Sequence, residues 1–243
     1  MVLTEKSAGY IREMLGSMSR MGYVKSFRIE VSYKVRSENM YFITPKGLEM
    51  LESHKNVFID YPKMPARGST VVVVKDFFHR FNTTSVNIAI YLHLLAHNVP
   101  IRLLASYFDK LGSAKKKTLT ARTTIPLDGL GYYIPDSVIM TDHCLYLIEM
   151  YCDKNSDRIM NQLGTHAKAI ALGTPGKTFG IAANPLVLCV FEHESIKEAV
   201  MKRLKTNENF DSMSKLFFFA SLADVKTDCA NAWHTINNEF LKM

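Results

Sequence analysis

The sequence predicts an α/β protein in two parts: a helix, hairpin and helix over residues 1–60, then a mixed sheet flanked by helices over residues 61–243. Three observations point there. Within the first 60 residues the hydrophobic period changes from helical to strictly alternating and back again. Two apolar runs, residues 134–140 and Leu145–Tyr151, stand four residues apart and are continuous enough to be buried on both faces. Through the remainder, apolar stripes at helical spacing alternate with short apolar runs, the pattern of strands exchanging with helices. A chain of 243 residues can bury a sizeable core in such a fold.

The first helix is expected over residues 5–18, where Ile11, Leu15 and Met18 share one side. After Gly22, Phe27, Ile29, Val31, Tyr33 and Val35 alternate with Arg28, Glu30, Ser32, Lys34 and Arg36, which is the signature of a half-buried strand. Ser37, Glu38 and Asn39 suit a turn, and residues 40–43 return antiparallel. Thr44 followed by Pro45 is a helix start, a hydroxyl cap before a proline in the first turn, and Leu48 and Leu51 continue the apolar stripe.

Residues 56–70, with Pro62, Pro65 and Gly68, read as a linker. Val71 to Val74 precede a long core helix over residues 76–97, carrying Phe78, Phe81, Val86, Ile90 and Leu94. His93 and His97 are spaced to share a helical face, yet no carboxylate or cysteine lies near them, so they read as surface or capping histidines. A strand over residues 101–108 leads into the basic stretch "GSAKKKTLTARTTIP". Later elements are a helix after Ser156, a strand at Leu186–Phe191, a helix at 194–204 and a strand at 216–220, with Trp233 and Phe240 sealing an edge. "GTPGK" at residues 173–177 lacks the spacing of a phosphate loop, which excludes nucleotide hydrolysis by that route.

Composition narrows the class. Hydrophobic residues make up 47% and charged residues 22%, with no apolar stretch long enough to span a bilayer, so no membrane insertion is expected. Residues 1–7 lack a basic-then-apolar leader, and the four cysteines form no CxxC pair. Both features point to a cytoplasmic protein with free thiols. The net charge of +7 is concentrated centrally. Basic and acidic residues number nine and seven over 1–60, ten and three over 61–130, and eleven and thirteen over 131–243. One surface that neutralises phosphates beside another that gathers carboxylates around a cation would look like this. Lys115, Lys116, Lys117 and Arg122 form the densest cluster and are candidate phosphate contacts; a solvated loop is the alternative.

The passage with chemistry in it is "YYIPDSVIMTDHCLYLIEMYCDK". A four-residue connection, Thr141 to Cys144, pairs Met140 with Leu145, and counting back pairs Asp136 with Glu149. Two carboxylates then face each other on adjacent strands. Buried acids are costly alone, so such a pair is protonated, paired with cations or used to hold a metal. Magnesium and manganese favour oxygen ligands of this kind. Tyr151 shares the Glu149 face by alternation. It could act as a nucleophile, donate a hydrogen bond to a phosphate, or simply pack. Lys154 lies just beyond the strand. On the next helix Arg158, Gln162 and His166 recur at four-residue spacing, and Arg158, Gln162, His166 or Lys168 could orient a phosphate or water.

Two resemblances attach to these passages. "LGSMSRMGYVKSFRI…MYFITPKGLEML" resembles a winged helix-turn-helix domain, although the helices that normally precede the recognition helix are not supplied. DNA contact through the hairpin would fall to Lys25, Arg28, Lys34 and Arg36, acting on phosphates; a hairpin used for dimer contact is the alternative. Pro135, Asp136 and Glu149 resemble the motif of the PD-(D/E)XK nuclease superfamily, with Tyr151 where that motif has lysine. This resemblance implies a restriction-endonuclease-like sheet holding Mg2+ or Mn2+ on Asp136 and Glu149, with Tyr151, Lys154 and Gln162 completing the catalytic set. Together the two motifs resemble the replication-relaxation proteins and the MOBC-class relaxases of mobilisable plasmids. That likeness implies an endonuclease that nicks one strand of double-stranded plasmid DNA at a transfer origin and works with the coupling protein of a secretion system. A catalytically inert DNA-binding accessory or replication regulator on the same fold is the competing expectation, and a transcription factor using only the winged helix a third.

Overall fold

The computed structural model describes residues 7–29, 38–55, 76–112, 118–127, 129 and 131–241. The chain separates into two compact units. One comprises residues 1–77 and 111–118, the other residues 78–110 and 119–243. The expected linker at 56–70, Val71 to Val74 and the lysines 115–117 lie outside the described residues.

In the first unit, α1 (Ala8–Arg20) starts where the Ser7 hydroxyl accepts a hydrogen bond from the Tyr10 amide at 3.2 Å. That cap sets the helix two to three residues later than periodicity alone suggests. Strand β1 (Val24–Ile29) pairs antiparallel with β2 (Glu38–Ile43), from Val24 opposite Ile43 to Ile29 opposite Glu38. Helix α2 (Pro45–Lys55) opens on the expected cap: the Thr44 hydroxyl accepts from the Gly47 amide at 3.1 Å and donates to the Gly22 carbonyl at 2.6 Å. Gly47 is required there, because a Cβ would overlap the Tyr23 carbonyl oxygen. "TPKG" is thus a junction between the helix start and the strand entry. Lys25 is exposed on β1 and Arg28 stands opposite Asn39, while Lys34 and Arg36 lie outside the described residues.

The second unit is an α/β layer structure built on a mixed five-stranded sheet. Its strands are β3 (Ile101–Ser106), β4 (Ser137–Thr141), β5 (Leu145–Tyr151), β6 (Leu186–Phe191) and β7 (Phe217–Ser221), adjacent in the order of the sequence. β3, β4 and β5 run antiparallel to their neighbours, whereas β5, β6 and β7 are parallel. The parallel pairs need crossovers. Helices α4 (Ser156–Ala171) and α5 (Thr174–Phe179) supply the first, and α6 (Glu194–Lys205) the second. "GTPGK" therefore lies at the start of a short helix entered through Gly173, whose φ of 65° is the left-handed conformation glycine tolerates.

Every residue of β5 is buried, which explains its unbroken apolar run. On one face, Tyr146, Ile148 and Met150 join Leu188, Val190 and Phe218 beneath α3 (Phe77–Ala96) and α7 (Leu222–Thr227), with Val86, Ile90, Leu94 and Trp233 as partners. On the other face, Tyr151 joins Val187, Cys189 and Phe191 beneath α4 and α6, against Ile159, Leu163, Val200 and Leu204. Each such large apolar side chain contributes roughly 1.5–3 kcal/mol by leaving water. Trp233 is central to the first core, whereas Phe240 is exposed, so the edge expected to be sealed by both involves only the tryptophan.

Two differences at the strands matter for the site. The run predicted over residues 134–140 is divided: Tyr132–Tyr133 pairs with Ile125–Pro126 as a small ribbon, and β4 begins only at Ser137. Pro135 interrupts the ladder because it has no amide hydrogen. The strand predicted over 101–108 stops at Ser106, where the Asp109 carboxylate accepts the Ser106 amide at 2.8 Å and turns the chain. Both interruptions fall at the same end of the sheet. They leave Tyr107 and Asp136 just outside the two strands.

Candidate functional site

Asp136 and Glu149 meet at the end of the β4–β5 hairpin. The register runs Met140 opposite Leu145, Ile139 opposite Tyr146, Val138 opposite Leu147 and Ser137 opposite Ile148, so the next position brings Asp136 to Glu149. The charge of Asp136 is felt by the buried Glu149 carboxyl. One oxygen of Asp136 also accepts the Met150 amide at 2.8 Å. The Asp136 main chain is fixed in turn: its carbonyl accepts the Tyr107 amide at 2.9 Å, and the preceding carbonyl of Pro135 accepts the buried Thr123 hydroxyl at 2.7 Å.

A histidine approaches from each helical layer. From α3, His79 Nε2 lies 2.9 Å from the Met150 carbonyl and 3.2 Å from Asp136 Oδ2. Both neighbours are acceptors, so Nε2 carries the hydrogen. Nδ1 faces the Tyr107 hydroxyl at 3.1 Å. Helix α3 is held in this register by Asn87, whose amide donates to the hydroxyls of Ser106 on β3 and Ser137 on β4 at 3.1 and 2.8 Å. From α4, His166 Nε2 lies 2.6 Å from Glu149 Oε1, and both side chains are almost wholly buried. Tyr133 sets its ring edge-on to His166, with centroids 4.8 Å apart. A continuous polar chain thus runs Tyr107, His79, Asp136, Glu149, His166 through the end of the sheet.

Burial governs the protonation of this chain. It raises the Glu149 carboxyl well above the ordinary range, and the charge of Asp136 adds to the rise, while His79 and Arg158 oppose it. Burial lowers His166 to about 4, against a smaller upward pull from Asp136. A carboxyl pushed up and an imidazole pushed down, 2.6 Å apart, share one proton as a neutral pair. Burial and then the Glu149 charge likewise raise the Tyr133 phenol.

Two carboxyl groups this close must share a proton or a cation. Their donor set is oxygen only, the chemistry magnesium and manganese prefer. Among the described residues, no group of three or more His, Cys, Asp or Glu side chains is arranged to hold a metal ion. A divalent cation held by Asp136 and Glu149 would have to take water or phosphate oxygens for the rest of its shell.

The other expected residues are distributed unevenly. Tyr151 shares the Glu149 face, but its ring packs 4.9 Å from that of Phe191, and its hydroxyl is buried without a hydrogen-bond partner. Burial, reinforced by Cys189 and the carboxylates, holds the phenol protonated. Of the three roles open to it, packing is the one this geometry supports. Lys154 is exposed on the loop after β5, and Gln162 is half-buried on α4; among the described residues no hydrogen bond joins either to the carboxyl pair. Arg158 bonds Asp153 at 3.0 Å and acts on Glu149 through its charge. Arg122 is half-buried, and its charge acts on Asp109, as does that of Arg80, whose guanidinium lies 5.9 and 5.3 Å from the rings of Tyr107 and Phe108. His93 and His97 stack with centroids 4.4 Å apart, and the His97 ring meets the His93 carbonyl at 2.9 Å, a helix-end contact as expected.

His79, Tyr107 and Tyr133 were missed by sequence reasoning. A signal for His79 existed: it stands on the stripe Thr83, Val86 or Asn87, Ile90, Leu94 that faces the sheet. The cysteines are free thiols, with burial raising Cys144, Cys189 and Cys229 and pushing Cys152 up to about 12. Among the described residues no helix is long and apolar enough to cross a membrane. No protein-family model, curated protein or solved structure matches the chain.

Proposed function

We propose that this protein is a divalent-metal-dependent DNA endonuclease that nicks one strand at a plasmid transfer origin, with Asp136 and Glu149 holding Mg2+ or Mn2+. The observation that carries the reading is the meeting of these two acids at the interrupted end of the β4–β5 hairpin, where each lies within reach of the other's charge. An acid after a proline, a strand, a turn, a second strand with its acid and then a helix follow the order that the PD-(D/E)XK resemblance implies. A cation there would polarise the phosphodiester and lower the pKa of attacking water. The chain's own residues would fix the carboxylates and exclude water from their buried side. The basic central segment, with Arg80, Arg102, Lys110 and Arg122 as its described members, would attract the backbone. The hairpin of the first unit, carrying Lys25 and Arg28, would add phosphate contacts. In this reading the partners are the double-stranded origin DNA and a coupling protein, and the setting is the cytoplasm.

The enclosed Tyr151 hydroxyl favours water over a tyrosine as the attacking group. Supercoiled plasmid carrying its own origin should be converted to the open-circular form with Mn2+ and not without it. E149Q should lose at least about 100-fold of that activity, the scale at which a principal electrostatic contributor is felt, while retaining DNA binding. Protease treatment of the product tests for a protein-linked end, which water attack does not leave. Nicking by E149Q at the wild-type rate defeats the assignment.

A second reading, an inert DNA-binding accessory or replication regulator, is favoured by one observation: the motif's lysine position is filled by a buried tyrosine. It predicts origin binding with no cleavage in any divalent ion.

A further inference from the structure

Glu149 is gripped by a histidine that has no other use for its polarity. His166 is 1% exposed, Nε2 sits 2.6 Å from Glu149 Oε1, and Nδ1 is buried with no partner. The other buried positions of α4, Ile159, Leu163, Ala169 and Ile170, are all apolar, and the ring of Tyr133 lies edge-on to His166. An unmet buried polar atom costs about 1–3 kcal/mol, and His166 bears that cost while its other nitrogen is spent on Glu149. A leucine would fill such a place without that cost.

We infer that His166 is a positioning residue, which locks the Glu149 carboxylate in the orientation that presents its other oxygen to a divalent cation beside Asp136. The inference rests on the metal-binding reading of the carboxyl pair. A carboxylate bound to a cation can only accept hydrogen bonds, so Nε2 carries the hydrogen and donates to Oε1. Nδ1 then holds a bare lone pair, which explains how it is left alone among apolar neighbours. With Oε1 held by His166, Glu149 cannot rotate freely, and its other oxygen is left for the cation. Outer partners of this kind typically contribute 10- to 100-fold in metal affinity.

The test is Mn2+ binding to the full chain, followed by the electron paramagnetic resonance signal of free Mn2+, with thermal unfolding run alongside. H166Q places an amide N–H near the position of Nε2 and should bind within a few-fold of wild type. H166N is too short to reach Oε1, and H166L has no donor; each should bind about 10- to 100-fold more weakly. E149Q should bind most weakly of all. Wild-type affinity in both H166L and H166N overturns the positioning role while leaving the metal site intact. A wild-type chain that takes up no Mn2+ overturns the metal reading itself, and this inference with it. Where H166L fails to fold, the contrast between H166Q and H166N decides: equal affinities overturn the proposal.

Discussion

The β4–β5 hairpin carries an acid–base pair at each end, and the two ends sit in different surroundings. At the turn, Asp142 bonds Arg102 of β3 with side chains 34% and 64% exposed. At the opposite end, Glu149 bonds His166 with side chains 6% and 1% exposed. The turn pair lies in water and is screened by salt, so it contributes little. The buried pair is forced to neutrality, leaves a nitrogen unmet and stands beside a second acid. Stability explains the first pair cheaply and the second poorly. A fold seeking only stability would fill the buried end with aliphatic side chains.

The largest separation between the two ends should appear with pH. Because burial lowers His166 from 6.5 to about 4, the unfolded chain holds a proton between those values that the folded chain lacks. Its contribution to stability therefore grows as pH rises from 4 to 6.5 and is lost on acidification. Glu149 acts oppositely: its raised folded value makes stability fall as pH climbs past its ordinary 4.5. Urea unfolding of wild type and H166Q across this window should show the wild-type advantage growing with pH by on the order of 2–3 kcal/mol. A constant difference would mean that His166 is not held neutral.

A smaller effect is expected from breaking and then deleting the buried pair at neutral pH. H166L should cost about 1–3 kcal/mol, because Glu149 Oε1 is left unmet. E149L/H166L should recover to within about 1 kcal/mol of wild type or exceed it, while losing Mn2+ binding. Losses in the double variant equal to the sum of the singles would show that the two residues do not act as a unit. Smallest of all, R102Q at the exposed end should change stability by less than about 1 kcal/mol and nicking only slightly. A large loss of nicking there would mean that the turn reaches the DNA.

The contrast also shows what the sequence could convey. The pairing of Asp136 with Glu149 followed from counting across a four-residue connection, because strand alternation and a short turn leave little freedom. Burial of Leu145–Tyr151 on both faces was legible as an unbroken apolar run. Alternation likewise placed Tyr151 on the acid's face, but its enclosure depends on Phe191, contributed by a strand whose register no local pattern declares. His79 stood on a visible stripe, but its partners were beyond reach for a related reason. It lies 71 residues from the carbonyl it bonds, and only the seating of α3 by Asn87 on Ser106 and Ser137 brings it there. His166 fell on a visible four-residue stripe that promised a polar helix face; in the fold that stripe begins exposed at Arg158 and ends buried at His166.

The five strands stand side by side in the order in which they are translated. Each new strand leaving the ribosome finds its neighbour already present, so the sheet can grow outward from one edge without waiting for a distant segment. The acids come together once β5 docks, ahead of the two strands and the helix that later shield its outer flank. A sheet that grew this way would bring Asp136 and Glu149 together before β6, β7, α4 and α6 close over them.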